Sequence, residues 1–126
     1  MRKTVNSEKA AAPIGPYNQA VIANGFLFVS GQIPIETKSG NIIKGDIEAA
    51  TECIMKNLKS ILSEAGLNFN NVVKTTIFLT DLNNFEIINK VYGSYFEKDF
   101  PARETVQVSA LPRGAEVEIS LIAVCN

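Results

Sequence analysis

Two side chains of opposite charge in the last quarter of the chain set the chemistry to consider. Glu118 stands in the run Val117-Glu118-Ile119-Ser120-Leu121-Ile122. A carboxylate among apolar neighbours is by default a solvated outward residue. Partly withdrawn from water, it acquires a raised pKa and serves as a general acid or base. Arg103 follows Phe100-Pro101-Ala102. The proline restricts the approach of the chain, and a guanidinium fork grips a planar carboxylate with two hydrogen bonds. Its plain alternative is a surface or ion-pair arginine. Four further positions complete the candidates: Tyr17 in Ile14-Gly15-Pro16-Tyr17, the segment Ser30-Gly31-Gln32, Asn89, and Thr105 one strand step beyond Arg103. Gly31 permits close approach of backbone to a ligand. Each also has an ordinary role, as a packing residue, a strand-ending turn, a solvated helix residue and a strand former, respectively.

The absent residue types narrow the field further. The 126 residues include no His. This excludes a histidine base, a Ser-His-Asp triad and any His-ligated metal. Cys53 and Cys125 fit no C-x-x-C pattern and read as two free, mostly buried thiols of a cytoplasmic chain. Twelve Lys and Arg against thirteen Asp and Glu leave a net charge of −1, with no basic stripe. That composition argues against nucleic acid as the main partner and against a polybasic membrane binder. Apolar runs such as Gly25-Phe26-Leu27-Phe28-Val29 are far shorter than the ~20 residues of a spanning helix. No apolar stretch follows the charges of Met1-Arg2-Lys3, so no secretory signal is expected. With 46% hydrophobic residues, the chain is expected to form a single domain over residues 1–126 that needs no metal or disulfide to hold its core.

These residues must be positioned by a small set of elements. Ala20-Val21-Ile22-Ala23 and Phe26-Leu27-Phe28-Val29-Ser30, split by Asn24-Gly25, predict a hairpin. Asp46 is an N-cap for an amphipathic helix of about five turns, with Ile47, Ala50, Ile54, Leu58, Ile61 and Ala65 on its apolar face and Gly66 as its stop. Val72 to Leu79 is a β-branched strand. Asp81-Leu82-Asn83-Asn84 caps a second helix with the stripe Phe85, Ile88, Tyr92, Tyr95 and Phe96. Glu104 to Ser109 and Glu116 to Val124 alternate as strands around the turn Leu111-Pro112-Arg113-Gly114. The order β-β-α-β-α-β-β, with room for a short N-terminal strand, predicts an α+β or mixed α/β fold with one sheet and two helices. Two helices cover one face. Apolar residues on the other, including Phe78, Ile122 and Val124, predict an association surface and hence a homo-oligomer.

Taken together, five ordered blocks resemble the RidA/YjgF family of imine/enamine deaminases. They are Ala12-Pro13-Ile14-Gly15-Pro16-Tyr17, Ser30-Gly31-Gln32-Ile33-Pro34, Val73 to Phe78 with Asp81-Leu82, Phe100-Pro101-Ala102-Arg103, and Leu111 to Ile119. The resemblance spans essentially the whole chain. It implies a chorismate-mutase-like α+β fold, a single mixed sheet with two helices on one face, and a homotrimer with sites in clefts between subunits. It also implies hydrolysis of 2-iminopropanoate and 2-iminobutanoate, and their enamines, to keto acids and ammonia, with no metal or cofactor. Arg103 then matches the carboxylate-binding arginine, and Glu118 the residue that activates water across a shared crevice. Tyr17, counted with Arg103 and Glu118 as catalytic, matches a pocket position together with Ser30 and Asn89, and Gly31 and Thr105 supply backbone contacts. Two departures stand out. Thr105 replaces a common Cys, and Ser120 replaces a common Glu. The competing readings are an RNA-cleaving translation inhibitor, disfavoured by the charge balance and the lack of His, and a small-carboxylate sensor or chaperone-like trimer. Glu118 opposes the latter, since a pure carboxylate binder gains nothing from an adjacent anion.

Overall fold

The local signals act where the residue types place them. Asn24 and Gly25 both take positive φ, 52° and 79°. This is the backbone of a two-residue type I′ turn, which matches the twist of the strands it joins. Asp46 accepts a hydrogen bond from the Ala49 amide at 3.0 Å and starts an 18-residue helix, Ile47–Glu64. That helix ends in a Schellman motif: the Leu67 amide donates to the Leu62 carbonyl and the Gly66 amide to that of Ser63, with Gly66 at φ 74°.

The computed structural model describes residues 2–126. The elements in chain order are β1 (Arg2–Val5), β2 (Ala20–Ala23), β3 (Phe26–Gln32), α1 (Ile47–Glu64), β4 (Val72–Leu79), α2 (Phe85–Gly93), β5 (Ala102–Gln107) and β6 (Val117–Val124). The strands make one mixed sheet in the order β1-β2-β3-β6-β4-β5. All neighbours are antiparallel except β4 and β5, which run parallel because α2 carries the chain back between them. The expected α+β fold, one mixed sheet with two helices, is what the chain adopts.

Alternation sorts the side chains of each strand between two faces. Val117, Ile119, Leu121 and Ala123 of β6 and Thr75, Ile77 and Leu79 of β4 are buried under the helices. They pack with Ile54, Leu58 and Ile61 of α1 and Ile88 of α2 in one core. The opposite face carries no helix. Phe26, Phe28 and Val106 are exposed on it, and Phe78, Ile122 and Val124 are half-buried.

Two boundaries differ from expectation. The second helix ends at Gly93, so Tyr95 and Phe96 lie beyond it. Glycine weakens a helix interior, and the chain tightens into turns closed by Tyr95 N–H to Tyr92 and Phe96 N–H to Gly93 carbonyls. The rings still point inward, Phe96 packing 4.9 Å from Tyr92 and 5.3 Å from Phe69. Strand β5, Ala102–Gln107, holds Arg103 near its start and stops two residues short of the expected Ser109. Cys53 and Cys125 are free but half-buried rather than mostly buried. The Cys53 thiol donates to the Ile35 carbonyl at 3.4 Å, and burial pushes its pKa up.

Truncating the fully buried Leu58 to Ala should cost about 2–5 kcal/mol of stability, and Asp46→Ala about 1 kcal/mol. Urea titrations followed by circular dichroism measure both. Equal, negligible losses would contradict the packing and the cap.

Candidate active site in two halves

Glu118 is set by a break in the ladder. Val29 of β3 faces Leu121 of β6, but Gln32 faces Ile119, so β3 carries one extra residue at Ser30-Gly31. Such a bulge bends the strand and re-aims its side chains. The Glu118 carboxyl lies directly against Gly31: a Cβ there would sit 2.3 Å from Glu118 Oε2. A side chain at 31 would have to push the carboxyl end of Glu118 aside. Glu118 is half-buried, and removal from water raises its pKa above the ordinary glutamate range. Ser30 is held from both ends, its amide donating to the Gln19 carbonyl and its hydroxyl to that of Asn18 at 2.7 Å. Tyr17 closes the cleft from the Pro/Gly loop, where its phenol oxygen accepts from the Ile14 amide at 3.3 Å. Ile14, Ile33 and Pro112 complete a cleft of about 390 Å³ around Tyr17, Ser30, Gly31 and Glu118.

Arg103 lies elsewhere. It faces Thr75 across the β4–β5 ladder, and Thr75 is buried under the helices. Arg103 therefore projects to the helix side of the sheet. Its guanidinium carbon sits 5.6 Å from the Phe85 ring and 5.1 Å from the Tyr92 ring. With Asn89, Tyr92, Gly93, Phe100 and Pro101 it lines a second cleft of about 310 Å³. Among the described residues Arg103 forms no ion pair; the one ion pair, Lys74 with Glu104 at 2.9 Å, lies on the other face. The Val108 amide donates to the Leu79 carbonyl. In a parallel ladder the amides alternate in direction, so those of Arg103 and Thr105 point to the free edge of β5. The Thr105 hydroxyl is buried with no hydrogen-bond partner.

The expected residues thus gather into two groups. Tyr17, Ser30, Gly31 and Glu118 meet in one cleft, Asn89 and Arg103 in the other, with Thr105 next along the strand. Within one chain Arg103 and Glu118 share no crevice; the expected crevice is one between subunits. Glu118 pairs with Phe78 and Arg103 with Thr75, on opposite faces and with β4 between their strands. Their Cα atoms are roughly 14 Å apart by strand spacing and rise. No small molecule bridges that gap through the sheet. A groove of about 750 Å³ between the start of α1 and α2 contains none of these residues. Three of its four carboxylates serve the fold: Asp46 caps α1, Glu116 accepts from the Gly45 amide, and Glu52 accepts from the Tyr95 hydroxyl.

Phe85 and Tyr92 enter the site as the floor beneath Arg103. Their seven-residue spacing places them on one helical stripe, which sequence reasoning assigns to the core. The signal that separates them is the parallel strand after the helix, which returns Arg103 onto that stripe.

An open-faced α+β sheet with an acidic cleft on one side and a cationic cleft on the other defines the class of protein. The sequence profile described as Endoribonuclease L-PSP matches residues 7–125, and the chain belongs to this family, that of the RidA/YjgF proteins. It is 46% identical over 124 residues to the mouse protein named 2-iminobutanoate/2-iminopropanoate deaminase, covering 98% of this chain and 92% of that one. It is 47% identical over 123 residues to a RutC family protein of Pyrococcus horikoshii, covering 98% of each. The crystal structure of YyfA of Yersinia pestis, from the conserved Rid protein family, superposes with a TM-score of 0.96 at 46% identity, covering 98% of this chain and 99% of that one.

Glu118 and Gly31 should be coupled. A carboxyl NMR titration should place the Glu118 midpoint above the ordinary glutamate range, and Gly31→Ala should lower it by driving the carboxylate into water. The native state holds the Glu118 proton more tightly than the unfolded chain does. The stability difference between wild type and Glu118→Gln should therefore fall as pH rises from the ordinary range through the raised value. A slope of the opposite sign would contradict the burial of this carboxylate.

Proposed function

We propose that the protein hydrolyses 2-imino acids and their enamines, of the size of 2-iminopropanoate and 2-iminobutanoate, to 2-keto acids and ammonia. The observation that carries this reading is the pairing of an un-neutralised arginine with a desolvated glutamate, each in a small cleft beside a free surface of the sheet. The two clefts lie on opposite faces, so a shared ligand requires a second copy. The apolar face that bears Glu118 supplies the docking surface, and a closed ring of three copies makes every site equivalent. Arg103 and Asn89 come from one subunit, and Tyr17, Ser30, Gly31 and Glu118 from its neighbour. The whole chain, 1–126, acts as one domain of this homotrimer, and its free thiols accord with a cytoplasmic setting.

Arg103 grips the substrate carboxylate bidentately, helped by the edge-facing amide of Thr105. A backbone contact there tolerates threonine in place of cysteine. The iminium carbon is already electrophilic, so the site mainly orients it. Glu118 takes a proton from water as the water oxygen bonds to C2 and the C=N double bond becomes single. The protonated Glu118 returns that proton to the amine. The hydroxyl then loses its proton to Glu118 as the C–N bond breaks, the carbonyl forms and ammonia leaves. Glu118 finally gives up that proton, and ammonium is the product. The raised pKa of Glu118 suits both directions of transfer. This sequence uses no cofactor or metal. Some relatives carry an endoribonuclease name, but a net charge of −1 and the lack of His supply neither a phosphate-binding surface nor a histidine acid–base pair for RNA cleavage.

The test is a coupled assay in which a dehydratase generates 2-aminoacrylate and keto-acid formation is followed. The wild type should accelerate it. Arg103→Ala should lower kcat/KM by about a hundredfold, and Glu118→Gln should lower kcat by about 10²–10⁴-fold while keeping carboxylate affinity. Full activity in Arg103→Ala would remove this mechanism.

A further inference from the structure

We propose that Tyr92, tethered by Thr75, forms with Phe85 an aromatic seat that positions the Arg103 guanidinium and leaves it without an anion of its own, reserved for a small carboxylate ligand. The inference rests on the role given to Arg103 above and deepens it. A half-buried guanidinium normally meets a protein carboxylate. Here two ring faces lie within 6 Å of it, and it makes no ion pair among the described residues. A π face attracts a cation electrostatically but does not neutralise it and accepts no N–H fork. The donors therefore remain available.

The nearest acid in sequence is diverted. Glu104 follows Arg103 directly but points to the other face of the sheet, where it pairs with Lys74 at 2.9 Å. The seat is also braced. Tyr92 is 4% exposed, and its hydroxyl is 2.7 Å from that of Thr75, itself 1% exposed. Thr75 is the residue directly across the ladder from Arg103. One buried hydrogen bond thus fixes the ring to the strand that carries the partner of the arginine. Phe85, two helical turns before Tyr92, flanks the guanidinium from the more exposed side. These are positioning residues: they touch the arginine, and the arginine holds the ligand.

The experiment titrates the full-length protein with 2-oxobutanoate and with uncharged 2-oxobutanamide, read by amide chemical shifts. Phe85→Leu should weaken 2-oxobutanoate about three- to tenfold and leave the amide unchanged. Phe85→Tyr, which keeps a ring face, should restore wild-type affinity. Tyr92→Phe, which keeps the ring but loses the tether, should weaken the acid about threefold. Phe85 is partly exposed, so its variants test the seat even if changes at Tyr92 prevent folding. Wild-type affinity in Phe85→Leu, or equal weakening of acid and amide, would overturn the seat while leaving the functional reading intact. Undiminished binding of 2-oxobutanoate by Arg103→Ala, or none by the wild type, would overturn both.

Discussion

A β-strand shows successive side chains to opposite sides, and that rule governs everything the two charged residues can do. Strand β6 must send Val117, Ile119, Leu121 and Ala123 into the core, so Glu118 is committed to the open face. Strand β5 pairs Arg103 with the buried Thr75, so the arginine is committed to the helix side. No rotamer change exchanges these assignments, since a side chain that crossed the sheet would break the ladder. A guanidinium and a carboxylate that we propose serve one substrate are thus held apart by the element that holds each in place.

The same constraint explains why each half is built as it is. Glu118 lies over a bulge and a glycine, where a side chain would have to push its carboxyl end aside. Desolvation then raises the pKa of that carboxylate above the ordinary glutamate range. Arg103 needs a cation-compatible floor without a counterion, and the second helix offers two rings from its core-facing stripe. Both halves open beside surfaces left unpaired in the single chain: an apolar sheet face for one, and the outer edge of β5 for the other. In the proposed trimer, association between copies would bury the first and bring the neighbouring half within reach of a ligand.

Much of this was legible in the residues. The Asn24-Gly25 turn, the Asp46 cap, the Gly66 stop and the strand Val72–Leu79 follow from local rules acting within a few residues. The apolar open face followed from counting helices against strand faces. Alternation also placed Thr105 with Arg103 and Ser120 with Glu118. What local pattern could not supply is the order of strands. A carboxylate at 118 and an arginine at 103 are fifteen positions apart in sequence, and nothing in that spacing says that β4 lies between their strands. The end of α2 at Gly93 was hidden because the stripe continues through Tyr95 and Phe96, which the core still buries in part by turns rather than helix. Phe85 and Tyr92 were legible as core residues but not as the floor of a cation, since that role depends on where the next strand lands.

The most direct measurement of the central claim is subunit complementation. Arg103→Ala and Glu118→Gln chains, each inactive alone, are unfolded together, refolded as a mixture and assayed for imine hydrolysis. If every site takes its arginine from one subunit and its glutamate from the next, mixed trimers contain intact sites, and activity returns to about a quarter of the wild-type level. A mixture as inactive as its two parents would contradict a composite site.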